Sequence, residues 1–205
     1  MIKNTIASRS IREALCCDRG YKRKKQPEQV RAALIHCAAE LAAQQGLNGV
    51  TVQAVAAAAG VTKGGFFHHF PHKQSLLDAV FDSFMAENER AIDRLLAVDG
   101  SSPGCFTRAY ISVAFDDILQ AEKSLRVPLS LSMMASPELC ARWAAWLAGR
   151  LQRHHETDSQ PQHEVARLAA DGAWLACSLG HTAGTTNPLS LKNHLLTLTR
   201  ERNSS

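Results

Sequence analysis

Residues 51–73 read TVQAVAAAAGVTKGGFFHHFPHK, and this stretch decides the fold of the N-terminal part of the chain. Thr51 precedes the apolar run at 52–59 and is a favourable N-cap, because its hydroxyl can accept a hydrogen bond from a backbone N–H of the first helical turn. The apolar residues of the run recur at spacings of three and four, as they do on one face of an α-helix. They are Val52, Val55, Ala56 and Ala59.

A second short helix is predicted directly after the first. Gly60 is placed to end the first helix, since glycine readily takes the left-handed conformation found at helix C-termini. Thr62 is a second N-cap, for a helix that runs to about Phe70, and Pro71 ends it because the residue before a proline is biased away from helical geometry. Two helices joined by a short turn with glycine are typical of a helix-turn-helix. The second helix carries Lys63, two glycines and a histidine pair, which suits a surface that enters a DNA groove.

Three blocks of residues at fixed spacing resemble a known family. They are AGVTKG at 59–64, FHHF at 67–70 and PHKQSLL at 71–77. In these blocks the sequence resembles the N-terminal domain of the TetR family of bacterial transcriptional repressors, and the strong resemblance spans about residues 28–80. A shorter segment, LAADGAWLACSLG at 168–180, is similar to the effector-domain segment of one TetR subgroup.

The resemblance implies an all-α protein with two folded parts. Residues 26–73 are expected to form a three-helix DNA-binding domain with the helix-turn-helix, and residues 74–205 a C-terminal helical bundle for ligand binding and dimerisation. Residues 1–25 are expected to be a flexible basic extension that ends in YKRKK at 21–25. Two interpretations of this extension stand: a solvated tail, or an arm on DNA phosphates or in the minor groove. A start codon assigned too far upstream is a third explanation for the residues before about 20.

Helical periodicity continues through the rest of the chain. Polar residues around Pro161 predict a loop at 154–162, and no strand pattern of comparable strength appears. Together with the two short helices, nine helices are predicted. The other seven cover about 27–45, 74–98, 106–121, 125–134, 137–155, 162–182 and 189–200.

The resemblance implies that the second helix of the motif enters the major groove of a double-stranded DNA operator. Each of its two glycines lowers the stability of the helix by ~1 kcal/mol relative to alanine. Close approach of the helix backbone to DNA is one explanation for glycine at both positions. Phe67 stands where the family usually has a tyrosine that donates to a phosphate, so this chain lacks that hydroxyl. His69 is expected to pack partly against the first helix. The expected DNA-contacting residues are Thr51, Thr62, Lys63, Gly64, Gly65, Phe67, His68 and Lys73.

An effector pocket is expected among the helices of the C-terminal part. Aromatic and methionine side chains suit an adaptable apolar cavity for a small apolar or amphipathic ligand, although the same side chains fit an ordinary core. The carboxylates of Asp116, Asp117 and Asp171 are candidate polar partners of a ligand. The candidate pocket residues are Phe84, Phe115, Met133, Met134, Trp143, Trp146 and Trp174.

The resemblance assigns a homodimer to the last two predicted helices, helices 8 and 9 at 162–182 and 189–200. In a dimer these helices pack with those of the partner as a four-helix bundle. Small residues such as Gly172, Ala173 and Ala176 permit close packing of that kind. The alternative is that these faces pack within the monomer.

Charge is distributed unevenly along the 205 residues. Residues 1–73 carry 11 Lys or Arg against 4 Asp or Glu, whereas residues 74–205 carry 12 against 15. A basic first third on a slightly acidic body fits a part that binds a polyanion. No apolar stretch approaches the ~20 residues of a membrane span, and the first twenty residues lack the apolar region of a secretory signal. We therefore expect a reducing, cytoplasmic location. The six scattered cysteines form no C-x-x-C motif, and a redox-sensing pair among them is the alternative interpretation.

The motifs of common enzyme classes do not appear in the sequence. There is no Gly-rich phosphate loop, no G-x-S-x-G and no H-E-x-x-H. His68, His69 and His72 do not share a helical face, and no cysteine or carboxylate lies near them in sequence. We therefore expect no enzymatic activity, no cofactor and no metal site.

The sequence thus predicts a sequence-specific DNA-binding transcriptional regulator, a repressor that a small molecule releases from a palindromic operator. The alternative is a helical DNA-binding protein without an effector pocket. A cavity bounded by the tryptophans would favour the first function over the second.

Overall fold

The computed structural model describes residues 27–121, 124–180 and 187–200. Within these residues the chain forms helices and no strand, which confirms the all-α prediction. None of these helices combines the length and the apolar character that a membrane crossing needs. The predicted extension at 1–25, with its basic end, lies outside the described residues. The helices are α1 (Pro27–Gly49), α2 (Val52–Ala58), α3 (Lys63–His69), α4 (Lys73–Asp99), α5 (Cys105–Leu119), α6 (Arg126–Met134), α7 (Pro137–Arg153), α8 (His155–Asp158), α9 (Pro161–Ser178) and α10 (Pro188–Leu198).

The first three helices, which we call the head, bury their apolar sides in one cluster. Leu34 of α1, Val55 of α2 and Phe66 of α3 are fully buried in it. α1 is interrupted at Gly46, whose backbone angles (φ 71°, ψ 175°) are not helical. The sequence predicted the first helix to end at this point, and the positive φ favours glycine because a Cβ would be strained there.

α4 connects the head with the rest of the molecule. Its 27 residues correspond to about 40 Å of continuous helix. His72 caps its N-terminus, because Nδ1 of the ring accepts the backbone N–H of Ser75 at 3.0 Å. One side of α4 is buried along most of its length. The buried residues include Leu76, Val80, Phe84, Asn88 and Ile92.

The apolar cluster of the head continues into the C-terminal part. Leu129 and Met133 of α6 and Leu139 of α7 are buried in the same cluster as Leu34 and Phe66. A polar contact joins the same elements, since the hydroxyl of Ser132 on α6 donates to the backbone carbonyl of Ala42 on α1 at 2.6 Å. The domain boundary between residues 73 and 74 stays a prediction, and the packing runs across it.

α5 is the central helix of the C-terminal part. It is buried around most of its circumference, so that even the polar residues Thr107 and Arg108 are buried. α9 and α10 pack against α5 through a second apolar cluster. The buried members of this cluster are Ile111, Phe115, Ile118, Ala166, Ala170 and Leu195.

The N-terminus of α5 is capped by a residue from a distant part of the chain. Its own N-cap is Gly104, with φ 77°, and a Cβ there would lie 2.9 Å from the carbonyl oxygen of Thr199. Asp158 supplies the missing cap. Its carboxylate accepts the backbone N–H groups of Phe106 at 3.2 Å and Thr107 at 2.8 Å. A helix that starts at a buried glycine thereby satisfies its exposed donors.

Asp158 ends α8, a short helix inside the segment 154–162 that the sequence predicted as a loop. The difference arises because the cap is a long-range contact, which local polarity does not reveal. Burial alone would raise the pKa of the Asp158 carboxyl, but hydrogen bonds from Thr107, Thr157 and Phe106 outweigh burial and hold the pKa below its ordinary value. The ionised carboxylate therefore stabilises the folded chain.

Asp158→Asn is expected to lower the free energy of unfolding at pH 7 by about 1–3 kcal/mol, the range for buried donors that lose an acceptor. Because the folded pKa is lowered, the stabilisation is present above the unfolded pKa and is lost as pH falls through the folded pKa. The difference between variant and wild type, measured by urea unfolding, should therefore shrink below about pH 4. Glu156→Gln, on the exposed side of the same short helix, is the control, expected within about 0.5 kcal/mol of wild type. An equal loss in both variants would contradict the capping role.

Candidate DNA-binding face and ligand cavity

Both threonines of the helix-turn-helix cap the helices that they precede. Thr51 Oγ1 accepts the backbone N–H of Ala54 at 3.1 Å, and Thr62 Oγ1 accepts that of Gly65 at 3.0 Å. Gly60 in the turn has φ 65°, the left-handed conformation that favours glycine. The predicted caps and the predicted turn are confirmed, and both threonines are exposed.

α3 is held against the head by one side and exposes the other. Phe66, and Phe70 directly after the helix, are buried in the head cluster. His69 is half-buried, and its packing against the first helix stays a prediction. The remaining side chains and one glycine form a single exposed face. Its residues are Lys63, Gly64, Phe67 and His68.

An ammonium, an aromatic ring and an imidazole stand together on this face. The Lys63 ammonium lies over the Phe67 ring, 5.9 Å from its centroid, and Phe67 is 44% exposed. The rings of His68 and His69 meet edge to face with their centroids 5.2 Å apart. Lysine and histidine supply N–H donors that suit phosphate oxygens and base edges, whereas Phe67 supplies only an apolar ring.

The two glycines of α3 are not required by the packing of the chain itself. A Cβ at Gly64 would have Thr62 Oγ1, at 3.8 Å, as its nearest neighbour. A Cβ at Gly65 would lie 3.4 Å from Thr62 Oγ1 and 3.5 Å from Val61 Cβ, which are ordinary contacts, and neither glycine has a positive φ. Among the described residues, alanine would therefore fit at both positions.

Lys73 lies at the first residue of α4, beside the head. Its Nζ donates to the backbone carbonyl of Leu47 at 2.9 Å, which ties the start of α4 to the end of α1. The side chain is half-buried. An ammonium carries three N–H donors, and this hydrogen bond uses one of them.

A cavity of about 430 Å³ lies among α4, α5, α6, α7 and α9. Phe115 does not line it, and this corrects the prediction. Because Phe115 is on the side of α5 that faces α9 and α10, it is fully buried in the second apolar cluster. The other six predicted pocket residues do line the cavity. They are Phe84, Met133, Met134, Trp143, Trp146 and Trp174.

The sequence analysis missed several lining residues, and three of them are Phe81, Asn88 and Tyr110. Phe81 and Asn88 lie on the same face of α4 as Phe84, so the spacing 81, 84 and 88 was the available signal. Tyr110 of α5 is the third, and no feature of the local sequence singles it out.

One wall of the cavity carries an ion pair. Arg126 Nε donates to the carboxylate of Asp117 at 2.7 Å. The guanidinium of Arg126 also lies over the ring of Phe84, 4.7 Å from its centroid, and donates to Asn88. Burial raises the pKa of the Asp117 carboxyl, and the adjacent Arg126 opposes this shift.

A second polar pair lies where the cavity meets α9. The Tyr110 hydroxyl donates to Asp171 Oδ1 at 2.6 Å. Burial, and then the neighbouring carboxylate, raises the pKa of Tyr110 far above its ordinary value. Asp171 as a whole residue is exposed, yet its carboxyl lies against buried Tyr110. Burial therefore raises the pKa of Asp171, while the hydrogen bond from Tyr110 and the charge of Arg167 oppose this.

All three tryptophans of the chain line the cavity. The rings of Trp143 and Trp146 have their centroids 4.9 Å apart. Trp146 Nε1 donates to Glu89 on α4 at 3.1 Å, which satisfies the polar end of this ring and holds its orientation. The intrinsic tryptophan fluorescence therefore reports on the cavity and the clusters that border it.

Exposed apolar side chains form a stripe along α9, which we call the α9 stripe. It consists of Val165, Leu168, Leu175 and Leu179, whose exposures are 57%, 62%, 41% and 60%. Their spacing places them on one side of the helix. Exposed apolar stripes of this kind are typical of surfaces that take part in protein–protein contacts.

The metal-ligating side chains of the described residues form one close group, away from the three histidines near α3. Donor atoms of Cys105, His154 and Asp158 lie within 4.8 Å of one another. Both oxygens of Asp158 accept hydrogen bonds at the N-terminus of α5, and the positive end of a helix disfavours a cation there. We assign no metal to this group.

Two sequence families match the chain. Residues 34–80 match "Bacterial regulatory proteins, tetR family". Residues 104–200 match "Tetracyclin repressor-like, C-terminal domain". The first match covers most of the head and the start of α4, and the second covers α5 to α10.

Individual relatives agree with these matches. The HTH-type transcriptional regulator BetI of Stenotrophomonas maltophilia (strain R551-3) is 33% identical over 168 residues, which are 76% of this chain and 85% of that protein. The HTH-type transcriptional repressor KstR2 of Rhodococcus jostii (strain RHA1) is 40% identical over 55 residues, 27% of each chain.

Solved structures share the fold at lower sequence identity. The multidrug binding protein EbrR, crystallised with malachite green, superposes with a TM-score of 0.66 at 20% identity, over 82% of this chain and 97% of that one. NalD, the secondary repressor of the MexAB-OprM multidrug efflux pump in Pseudomonas aeruginosa, superposes with a TM-score of 0.57 at 18% identity. The superposition covers 85% of this chain and 97% of the NalD chain. The head, the helical body and these relatives agree: the chain belongs to the TetR family of bacterial transcriptional regulators.

Proposed function

We propose that the protein is a ligand-responsive repressor. In this proposal a homodimer binds a palindromic DNA operator through α3 and leaves it when a small apolar or amphipathic molecule fills the cavity. One observation carries the proposal: the exposed face of α3 and the tryptophan-lined cavity are built on the same apolar cluster. The cavity favours this function over that of a helical DNA-binding protein without an effector pocket. The proposal includes no catalytic step and places the protein in the cytoplasm, with the DNA.

In the proposed complex, α3 lies in the major groove, and its two glycines, which carry no side chain, face the DNA. Lys63 and His68 donate to phosphates or base edges, and Gly64 and Gly65 let the backbone approach. Phe67 makes an apolar contact where a tyrosine would donate to a phosphate. The remaining contacts are to phosphates, from Thr51, Thr62 and Lys73.

The dimer of the proposal forms through α9 and α10. The α9 stripe is the surface that a second copy covers, and the small residues beside it permit close approach of the helices. Two-fold symmetry then places two copies of α3 in successive major grooves, ~34–36 Å apart. Residues 26–73 act as the DNA-binding part and residues 74–205 as the ligand-binding and dimerisation part.

The release mechanism of the proposal uses the two helices that touch both sites. α4 starts at the head with Lys73 and lines the cavity further along with Phe84. α6 lines the cavity with Met133 and contacts α1 through Ser132 and Ala42. A ligand that shifts α4 or α6 therefore also shifts the heads of the dimer. DNA favours one arrangement of the heads and the ligand favours another, so each weakens the binding of the other.

Selection of bound fragments from a pool of random DNA tests the proposed function. The proposal predicts a palindromic consensus whose half-sites are centred about 10 base pairs apart, or a multiple of this. Fragments without a shared sequence would contradict sequence-specific binding, and a single half-site would contradict the symmetric dimer.

Gly64→Ala tests the close approach of α3 to DNA. The substitution should raise the free energy of unfolding by up to about 1 kcal/mol, because alanine is the better helix former and a Cβ meets nothing closer than 3.8 Å. Affinity for the selected DNA, measured by fluorescence anisotropy, should fall at least about tenfold, or 1.4 kcal/mol.

Gly149→Ala on α7 is the matched control for this variant. A Cβ at Gly149 meets nothing within 4 Å, so the same gain in stability is expected with unchanged DNA affinity. Equal DNA affinity of the Gly64→Ala variant and wild type would contradict the close approach.

Lys73→Ala should weaken binding to all DNA sequences alike, since a phosphate contact carries no sequence information. The slope of log K against log salt concentration should become shallower by about 0.9. Lys192→Ala on α10, which removes a lysine that pairs with Asp116 at 2.8 Å, is the control and should leave the slope unchanged. A slope that Lys73→Ala leaves at its wild-type value would contradict the phosphate role.

Leu168→Glu places a charge in the middle of the α9 stripe and should convert the dimer to a monomer, since it puts an unpaired carboxylate in a buried apolar interface. Sedimentation equilibrium would show the mass of one chain, and DNA affinity would fall with the loss of the second half-site. Val98→Glu, at an 89% exposed apolar residue at the end of α4, is the control and should remain a dimer. A dimeric Leu168→Glu variant would exclude this face as the interface.

A further inference from the structure

The charged side chains that line the cavity are all of one sign. Asp117 and Asp171 line it, and no lysine, arginine or histidine of the described residues does so. The other polar lining residues are neutral, and they are Asn88, Tyr110 and Ser130. A ligand inside the cavity therefore meets carboxylates and no cation of the protein's own.

Asp117 already forms an ion pair with Arg126, a residue that does not line the cavity. Arg126 donates to Asp117 at 2.7 Å and also contacts Glu87 at 3.0 Å. Arg126, which does not itself line the cavity, thus neutralises Asp117, so this carboxylate contributes little net charge to a ligand.

Asp171 has no such partner in direct contact, and only the more distant charge of Arg167 acts on it. It forms no ion pair with any Lys, Arg or His in the part of the chain that the structure describes. Its hydrogen bond comes from Tyr110, a neutral group, and Arg167 one turn earlier on α9 directs Nη1 to the Thr107 hydroxyl at 2.6 Å. The wall next to Asp171 is also open, because a Cβ at Gly172 would meet nothing within 4 Å.

The surroundings of Asp171 suit an organic cation rather than a metal ion or an anion. Trp143, Trp146 and Trp174 line the same space, and the cations of the described residues stack on phenylalanines, not on these indoles. Indole rings attract organic cations through their negative faces, most strongly where water is excluded. The α9 stripe flanks Asp171, so a second copy seated there would shield this carboxylate further and strengthen its attraction for a cation.

We propose that the effector of this protein is a lipophilic organic cation, bound with its charge beside Asp171 and its apolar body among the three tryptophans. The inference rests on the proposed function, since it names the chemical class of that ligand. Asp171 acts in it as the specificity-determining residue of the cavity.

The test compares two ions of the same shape and opposite charge, tetraphenylphosphonium and tetraphenylborate. Each is titrated into the full-length protein while tryptophan fluorescence is recorded, because all three tryptophans line the cavity. The expected result is quenching by tetraphenylphosphonium at concentrations at least about tenfold lower than by tetraphenylborate. Equal or tighter binding of tetraphenylborate would overturn the proposal, and this comparison requires no variant.

Asp171→Asn assigns the selectivity to one side chain. An asparagine can still accept the Tyr110 hydrogen bond, so the variant removes the charge and keeps the contact. We expect it to weaken tetraphenylphosphonium binding at least about tenfold and to leave tetraphenylborate binding unchanged or tighter. Asp116→Asn makes the same change of charge on α5 at a residue that does not line the cavity, and it should bind both ions as wild type does. Equal effects of the two substitutions would overturn the role of Asp171.

Failure of this inference is distinguishable from failure of the proposed function. A protein that selects a palindromic DNA sequence but shows no preference for the cation refutes the inference alone. A protein that binds the cation through Asp171 but selects no DNA refutes the proposed function, and the charge preference of the cavity stands.

Discussion

The structure depends on one apolar cluster that extends from the helix-turn-helix into the ligand cavity. Phe66 fixes α3 in the head, and Leu129 and Met133 bring α6 into the same cluster. Trp143 and Trp146 pack against it from α7 and also line the cavity. Burying a large apolar side chain contributes about 1.5–3 kcal/mol, so separating the head from the body would cost several such contributions. The head therefore cannot reorient without repacking side chains that also form the cavity.

In the proposed function, this constraint is the means by which a small molecule acts on DNA binding at a distance. Packed cores are close to crystal density and change between discrete arrangements rather than deforming continuously. A ligand that occupies the space beside Met133 and Trp146 is in contact with the same cluster that holds Phe66. In the proposed mechanism the coupling needs no separate relay, because the same cluster supports α3 and borders the cavity.

Some residues of α3 stabilise the fold, and others form its exposed face. Phe66 belongs to the fold, since it is fully buried, whereas Lys63 and His68 are exposed and contribute little to packing. Gly64 lowers helix propensity, and no neighbour in the chain requires it. The local sequence of α3 is thus less stable than it could be, and the proposed approach of the helix backbone to DNA would account for the difference.

Local features of the sequence were sufficient to predict the helices of the head. The short helix α8 and the lining of the cavity depend on contacts between residues far apart in the sequence. The caps at Thr51 and Thr62 act within three residues, so the motif was predictable from the sequence. The cap from Asp158 on α5 joins residues more than fifty positions apart, so α8 was predicted as a loop. Aromatic composition indicated a cavity but not which side of α5 faces it, so Phe115 was misplaced. The pair of Tyr110 and Asp171 likewise depends on the packing of two distant helices.

The most direct test of the shared cluster is thermodynamic reciprocity between the two sites. The affinity of a cavity ligand is measured by tryptophan fluorescence for the protein alone and for the protein bound to its selected DNA. Coupling predicts that DNA weakens ligand binding by the same factor by which the ligand weakens DNA binding, typically about 5- to 150-fold. Equal ligand affinity in the presence and absence of DNA would show that the cavity and α3 are independent, and it would contradict the account.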